Sequence, residues 1–176
     1  LFVDNSIEIS NIKILKNKEN VLSNRKVIFQ RAFNLAKAPI IISMFVTPAR
    51  YFLELAGFPE NVIFIIGLLW LALAFSVYWG IKLYNENYRY LLLLLSLIIF
   101  SPISRIPVAI LWWIDTRWEI GTHYSLYFDN FAQAFFQQVV YGSLTQIIPS
   151  FLLGSLTLVI MKNRKNLGKD EKLISK

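Results

Sequence analysis

VIFIIGLLWLALAFSVYWGIKL, residues 62–83, carries no charge before Lys82 and ends in a cluster of interfacial aromatics, Tyr78 and Trp79 with Tyr84 just beyond. A helix crossing a bilayer needs about 20 consecutive apolar residues, and Tyr and Trp collect where hydrocarbon meets headgroups, so this stretch reads as a transmembrane span. Its flanks repeat the pattern. Upstream, the turn Gly57-Phe58-Pro59-Glu60-Asn61 separates it from a first apolar stretch, residues 38–56, and so short a turn permits only an antiparallel neighbour. Downstream, the polar turn Asn85-Glu86-Asn87 leads into residues 88–114. Fully helical, that third stretch measures about 40 Å at 1.5 Å per residue, so tilting, kinking or protrusion is expected, with Pro102 and Pro107 as kink points. Residues 115–130, with Trp118, Tyr124, Tyr127 and Phe128 beside the Trp112-Trp113 pair, read as an aromatic interfacial loop. A fourth stretch runs over residues 131–161, its first turns with Gln133, Gln137 and Gln138 expected above the hydrocarbon.

Composition agrees with a bilayer. Of 176 residues, 56% are hydrophobic, 15% aromatic and only 16% charged, an apolar excess that must face lipid. Four spans of about 20 residues each use roughly half the chain and leave only short loops and two tails, so one membrane domain is expected. The net charge of +7 sits largely in residues 13–37 and 162–176, next to apolar spans, so anionic lipid rather than nucleic acid is the expected partner. With no Cys there are no disulfides, no thiolate metal ligands and no Cys nucleophile. The chain starts at Leu1, and residues 1–6 lack the basic start and apolar core of a signal peptide, so the first span is expected to be retained.

The expected fold is therefore an all-α integral membrane protein, a four-helix transmembrane bundle over residues 38–161, preceded by an arm over residues 1–37 and followed by a basic, mobile tail over 162–176. Within the arm, Ile7, Ile9, Ile12 and Ile14 alternate with polar residues in a strand-like pattern, and residues 16–20 form a polar break. From the N-cap candidate Ser23, residues 27–37 read as a helix. Ile28, Ala32, Leu35 and Ala36 share one face, and Lys26, Gln30, Asn34 and Lys37 the other. Two readings compete here: an amphipathic helix lying in the headgroup plane, or the solvated start of span one. The Lys and Arg excess of the amino tail, of the turn holding Lys82 and Arg89, and of the carboxyl tail places both termini in the cytoplasm.

Arg50, Glu54 and Arg105 are costly inside a span, about 2.5 to 3.5 kcal/mol for an Arg at the bilayer centre on the insertion scale. Arg50 and Glu54 are spaced to pair along one helix face. Counted from the expected span ends, Arg50 lies about 20 Å from Lys37, Glu54 about 26 Å, Arg105 about 26 Å from Tyr88 and Gln146 about 22 Å from Met161. All four are then expected in one layer of the outer half, where Pro48, Pro102 and Pro149 also free backbone carbonyls. In one reading they line a polar pocket in which Arg50 and Arg105 hold an anionic group and Glu54 and Gln146 steady the guanidinium groups. In the other, Arg50 and Glu54 neutralise each other and Arg105 snorkels to phosphates.

A second constellation, Asp115, Glu119 and His123, falls on one face if the helix continues, and suits acid–base work or a loose metal site. Gly121-Thr122 and Arg117 suit a plain loop instead. No G-x-S-x-G, H-E-x-x-H, P-loop or Rossmann pattern occurs, and no cofactor is implied. The leading expectation is a non-enzymatic accessory subunit or small binding or transport module, in contact with the bilayer, an anionic lipid or solute, or other membrane subunits. The rival is a membrane-embedded enzyme acting on a lipid or isoprenoid phosphate, with Arg50 and Arg105 on the phosphate and Glu54, Asp115 or His123 as acid or base.

Overall fold

A computed structural model describes residues 3–59, 63, 66–122 and 128–174, with side chains over 25–59, 63, 66–122 and 128–165. The fold is all helical. Helix α1 is Val3–Leu55, α2 Leu68–Leu83, α3 Arg89–Trp118, α4 Phe131–Phe136 and α5 Gly142–Ile174; a π-helical turn, Gln137–Tyr141, joins α4 to α5 in one continuous rod. Three stretches, Arg25–Leu55, Arg89–Arg117 and Phe131–Lys165, are long and apolar enough to cross a membrane, and α2 is a shorter apolar helix. The protein is a multi-pass membrane protein in contact with a lipid bilayer.

Burial follows lipid logic rather than water logic. Phe45 is 73% exposed, and Phe52, Ile41, Ile148 and Leu152 also face outward, whereas Ser43, Ser76, Ser96, Ser101, Ser104, Gln146 and Ser150 are buried. A protein in water places such residues the other way round. Where lipid is as apolar as the core, small residues that allow close backbone approach decide the helix interfaces. Ser76 and Gly80 of α2 face Gly154 of α5 in this way: a Cβ built on Gly80 falls 2.7 Å from Thr157 Cβ and 2.9 Å from the Gly154 carbonyl.

Helix α3 is the hub, packing against α1, α2 and α5, while α2 lies along α5. The main core joins Ala32 and Ala36 of α1, Ala72, Trp79 and Leu83 of α2, Leu92, Leu93, Leu97 and Phe100 of α3, and Leu158 of α5. One end is marked by the α2–α3 turn, where Glu86 accepts from Arg31 (3.0 Å) and Asn85 from Lys165 (2.6 Å). Both tails therefore emerge beside that turn. Cations over aromatic rings, Lys82 on Tyr78, Arg89 on Tyr90 and Lys165 on Tyr84, line the same end.

Several expectations change. Residues 7–14, read as strand-like, are helical within α1. The amphipathic stretch 27–37 is no separate in-plane helix: its small face, Ala32 and Ala36, is buried against the core, and Ser96 donates to the Ala32 carbonyl (3.3 Å). Alanine allows that approach, and Lys26, Gln30, Asn34 and Lys37 stay exposed as the pattern required. Pro39 and Pro48, Pro102 and Pro107, and Pro149 all lie inside helices that continue past them, as intramembrane packing permits. Helix α2 starts at Leu68 rather than Val62, about 24 Å of helix against a hydrocarbon core of about 30 Å. Helix α3 outlasts the expected Ile114 by a turn, so Asp115 is a buried helical residue rather than the start of a loop. Residues 162–174, read as a mobile tail, continue α5 as helix.

Candidate functional site

Inside the bundle, at the far end from Glu86, Arg105 leaves α3 towards the π-turn. Its Nη1 donates to Gln138 Oε1 at 3.2 Å. Its guanidinium lies where a side chain on Gly142 would begin: a Cβ there would sit 3.2 Å from the Arg105 Cζ and Nη1. A π-turn inserts one residue into the helical repeat, with the Gly142 N–H reaching back to the Gln137 carbonyl. That insertion brings Gln138 and Gly142 onto the side of the rod facing Arg105. Helix-internal π-turns are frequent at functional sites because they redirect side chains at modest cost.

One turn deeper, Gln146 is fully buried, with its Oε1 3.5 Å from the Ser104 hydroxyl. Its Nε2 has no hydrogen-bond partner among the described residues, and neither have the buried hydroxyls of Ser101, Ser150 and Thr47. Each buried polar group left unmatched costs about 1–3 kcal/mol, and in hydrocarbon no bulk water relieves it. The layer between α3 and α5 thus presents more polar capacity than its own residues use.

A second cluster lies nearer the far headgroups. Asp115, fully buried, accepts the Thr122 backbone N–H at 3.1 Å through Oδ1, and its carbonyl accepts the Ile120 N–H at 3.1 Å and the Glu119 N–H. Asp115 therefore closes off the end of α3, where Glu119 adopts φ 48. Tyr51, buried on Val108 and Leu68, stands within electrostatic reach of Asp115 and Glu54. Trp112 Nε1, Asp115 Oδ2 and Arg50 Nε have no hydrogen-bond partner among the described residues.

The four residues expected in one pocket divide between these clusters. Arg105 and Gln146 belong to the α3–α5 layer, whereas Arg50 and Glu54 lie on α1 on either side of Tyr51. The hydrogen bond of Ser96 to the Ala32 carbonyl and the packing of Tyr51 with Val108 set the α1–α3 register. In that register Arg105 lies about 3 to 13 Å deeper than Arg50. Equal depth had assumed that both helices start from the same plane, and α1 in fact begins well before residue 38. The ion pair among the described residues joins Arg31 to Glu86 at the other end, not Arg50 to Glu54.

Of the Asp115, Glu119 and His123 constellation only the first two residues are described. The helix ends at Trp118, Glu119 is exposed and left-handed, and His123 lies outside the described residues. Among the described residues no group of His, Cys, Asp or Glu has the arrangement of a metal site. Gln138 and Gly142, expected above the hydrocarbon or unremarked, are instead partners of Arg105. A signal for them exists: Gln138, Gly142, Gln146, Ser150 and Gly154 recur every fourth residue, a polar and small stripe in an otherwise apolar span. Comparison with protein-family models, curated proteins and solved structures finds no match for this chain, so the site is read from its own geometry.

Proposed function

We propose that this chain is a small membrane binding module, with both tails cytoplasmic, that holds the anionic group of a lipid or solute in the α3–α5 layer. Arg105 supplies the charge, and Gln138, Gln146, Ser101 and Ser104 supply neutral hydrogen bonds around it. The observation that carries this reading is the surplus of buried donors beside an intramembrane arginine, above all the fully buried Gln146 amide whose nitrogen has no hydrogen-bond partner among the described residues. Arginine suits the task because its planar fork grips a phosphate or carboxylate through two bonds at once. Orientation rests on the basic residues of the Glu86 end, which the positive-inside rule assigns to the cytoplasm.

The rival reading, an enzyme on a lipid phosphate, has less support. The buried carboxylate available as acid or base, Asp115, lies ten residues along α3 from Arg105, about 15 Å of helix rise, and is already engaged in closing the helix end.

The test is binding of dioctanoyl phosphatidate, with dioctanoylglycerol as the uncharged control, to the full chain in phosphatidylcholine nanodiscs. The wild type is expected to prefer the phosphatidate, and Arg105→Gln to lose about tenfold or more of that affinity, the size of one charge-assisted hydrogen bond. Equal affinity of Arg105→Gln and wild type would refute the reading.

A further inference from the structure

The opposite end of the bundle carries a groove of different make. A cleft of about 220 Å³ lies between α1, the end of α2 and the start of α3, lined by Arg31, Asn34, Leu35, Lys82, Leu83, Glu86 and Leu92. A second hollow of about 140 Å³ adjoins it and shares Arg31, Glu86 and Leu92. The Arg31–Glu86 ion pair, 3.0 Å long and solvent-accessible on both sides, lies in the wall common to the two hollows. Leucines make the floor, cations and an amide the rim.

Depth and charge say what fits. Lys82, Arg89 and Lys165 over their tyrosine rings place this end at the headgroup level, where such amphipathic pairs settle. Over residues 25–37, 82–89 and 162–165, Glu86 is the only acidic residue among many Lys and Arg. A volume of about 220 Å³ equals that of roughly seven waters, enough for a phosphodiester with its first carbons. An amphiphile whose phosphate meets Arg31 and Lys82 can lay its chain over Leu35, Leu83 and Leu92 towards the hydrocarbon. A free inorganic anion has no use for the leucine floor.

We infer that this groove is a binding site for an anionic phospholipid, its phosphate held by Arg31 and Lys82, with Glu86 the built-in anion that it displaces from Arg31. The site is independent of the Arg105 layer: no residue is shared, and the two lie at opposite ends of the bundle.

Displacement gives an unusual sign. Removing the Glu86 charge breaks an ion pair yet strengthens the site, because Arg31 no longer has to be released. The experiment uses the full chain in phosphatidylcholine vesicles containing spin-labelled phosphatidylglycerol or spin-labelled phosphatidylcholine, reading the motionally restricted fraction of each. The wild type is expected to select phosphatidylglycerol. Glu86→Gln should raise that selectivity about threefold or more, and Arg31→Ala with Lys82→Ala should remove it, a loss of about tenfold for two phosphate contacts. Lys26→Ala with Lys37→Ala takes the same charge from the exposed face outside the groove and should leave the selectivity nearly intact. Millimolar inorganic phosphate should not displace the lipid. The proposal is overturned if Glu86→Gln leaves selectivity unchanged or lowers it. It is equally overturned if the two double variants behave alike, which would mean a diffuse surface potential, or if inorganic phosphate displaces the lipid, which would make the ligand a free anion.

Discussion

Replacing Gly80 by Ala sets two well-understood effects against each other at the α2–α5 seam. In an exposed helix the change is favourable by about 1 kcal/mol, because alanine loses less backbone freedom on folding. Here the new Cβ would meet Thr157 Cβ at 2.7 Å and the Gly154 carbonyl oxygen at 2.9 Å. Neither is the end of a flexible side chain, so rotamer changes cannot relieve the contact and the helices must part. Overpacking of this kind costs about 1–3 kcal/mol, and the rigid neighbours put this case in the upper half of that range. The net expectation is a loss of about 1–2 kcal/mol, the propensity gain subtracted. Unfolding of the bicelle-reconstituted protein by SDS, followed through the buried Trp79, measures it. Thr157→Ala should not rescue the variant, since alanine keeps the offending Cβ; Thr157→Gly should rescue part of the loss, because the Gly154 carbonyl remains. A Gly80→Ala protein more stable than wild type would show that α2 and α5 do not approach as described.

Gln146→Leu exchanges a buried amide with an unmatched nitrogen for an apolar side chain of similar size, so it should stabilise the bundle by about 1–2 kcal/mol while weakening phosphatidate binding. The same unfolding assay and the nanodisc assay report the two halves, and a destabilised variant would mean that the amide is already satisfied. Gly142→Val should push the Arg105 guanidinium off Gln138 and reproduce most of the binding loss of Arg105→Gln, whereas unaltered binding would separate the site from the π-turn. Because the sequence has no cysteine, topology is open to single-cysteine labelling: Cys at Gly57 or at the exposed Glu119 should react with an impermeant maleimide from outside the cell and Cys at Asn85 should not, with the reverse pattern inverting the orientation.

Hydropathy located the three long apolar helices because a bilayer asks one local question of each segment, and residues 38–56, 88–114 and 131–161 answer it on their own. Asp115 was misjudged for the same reason. A charged residue after Ile114 looks like the end of a span, and its burial is helped by the Thr122 N–H folding back onto its carboxylate. The relative depth of Arg50 and Arg105 was beyond local reading too, because it depends on how far α1 slides along α3, which Ala32 and Ser96 decide through a contact between segments far apart in the chain. Arg105 and Gln146 were legible as misplaced polar residues in apolar spans. Their partner Gln138, at the start of the span, reads from hydropathy alone as lying above the hydrocarbon, although it falls four residues before Gly142. The spacing of four in Gln138, Gly142, Gln146, Ser150 and Gly154 is present in the sequence, and the fold is needed to show which helices cover that face.

The central claim is that Arg105 grips an anion within the membrane. Dipolar recoupling between ³¹P of bound dioctanoyl phosphatidate and ¹⁵N of labelled arginine, in the full chain in phosphatidylcholine bilayers, tests it at the atoms concerned. A short phosphorus–nitrogen contact should persist in Arg31→Ala with Lys82→Ala and vanish in Arg105→Gln. A contact that survives Arg105→Gln and disappears with Arg31 and Lys82 would contradict it.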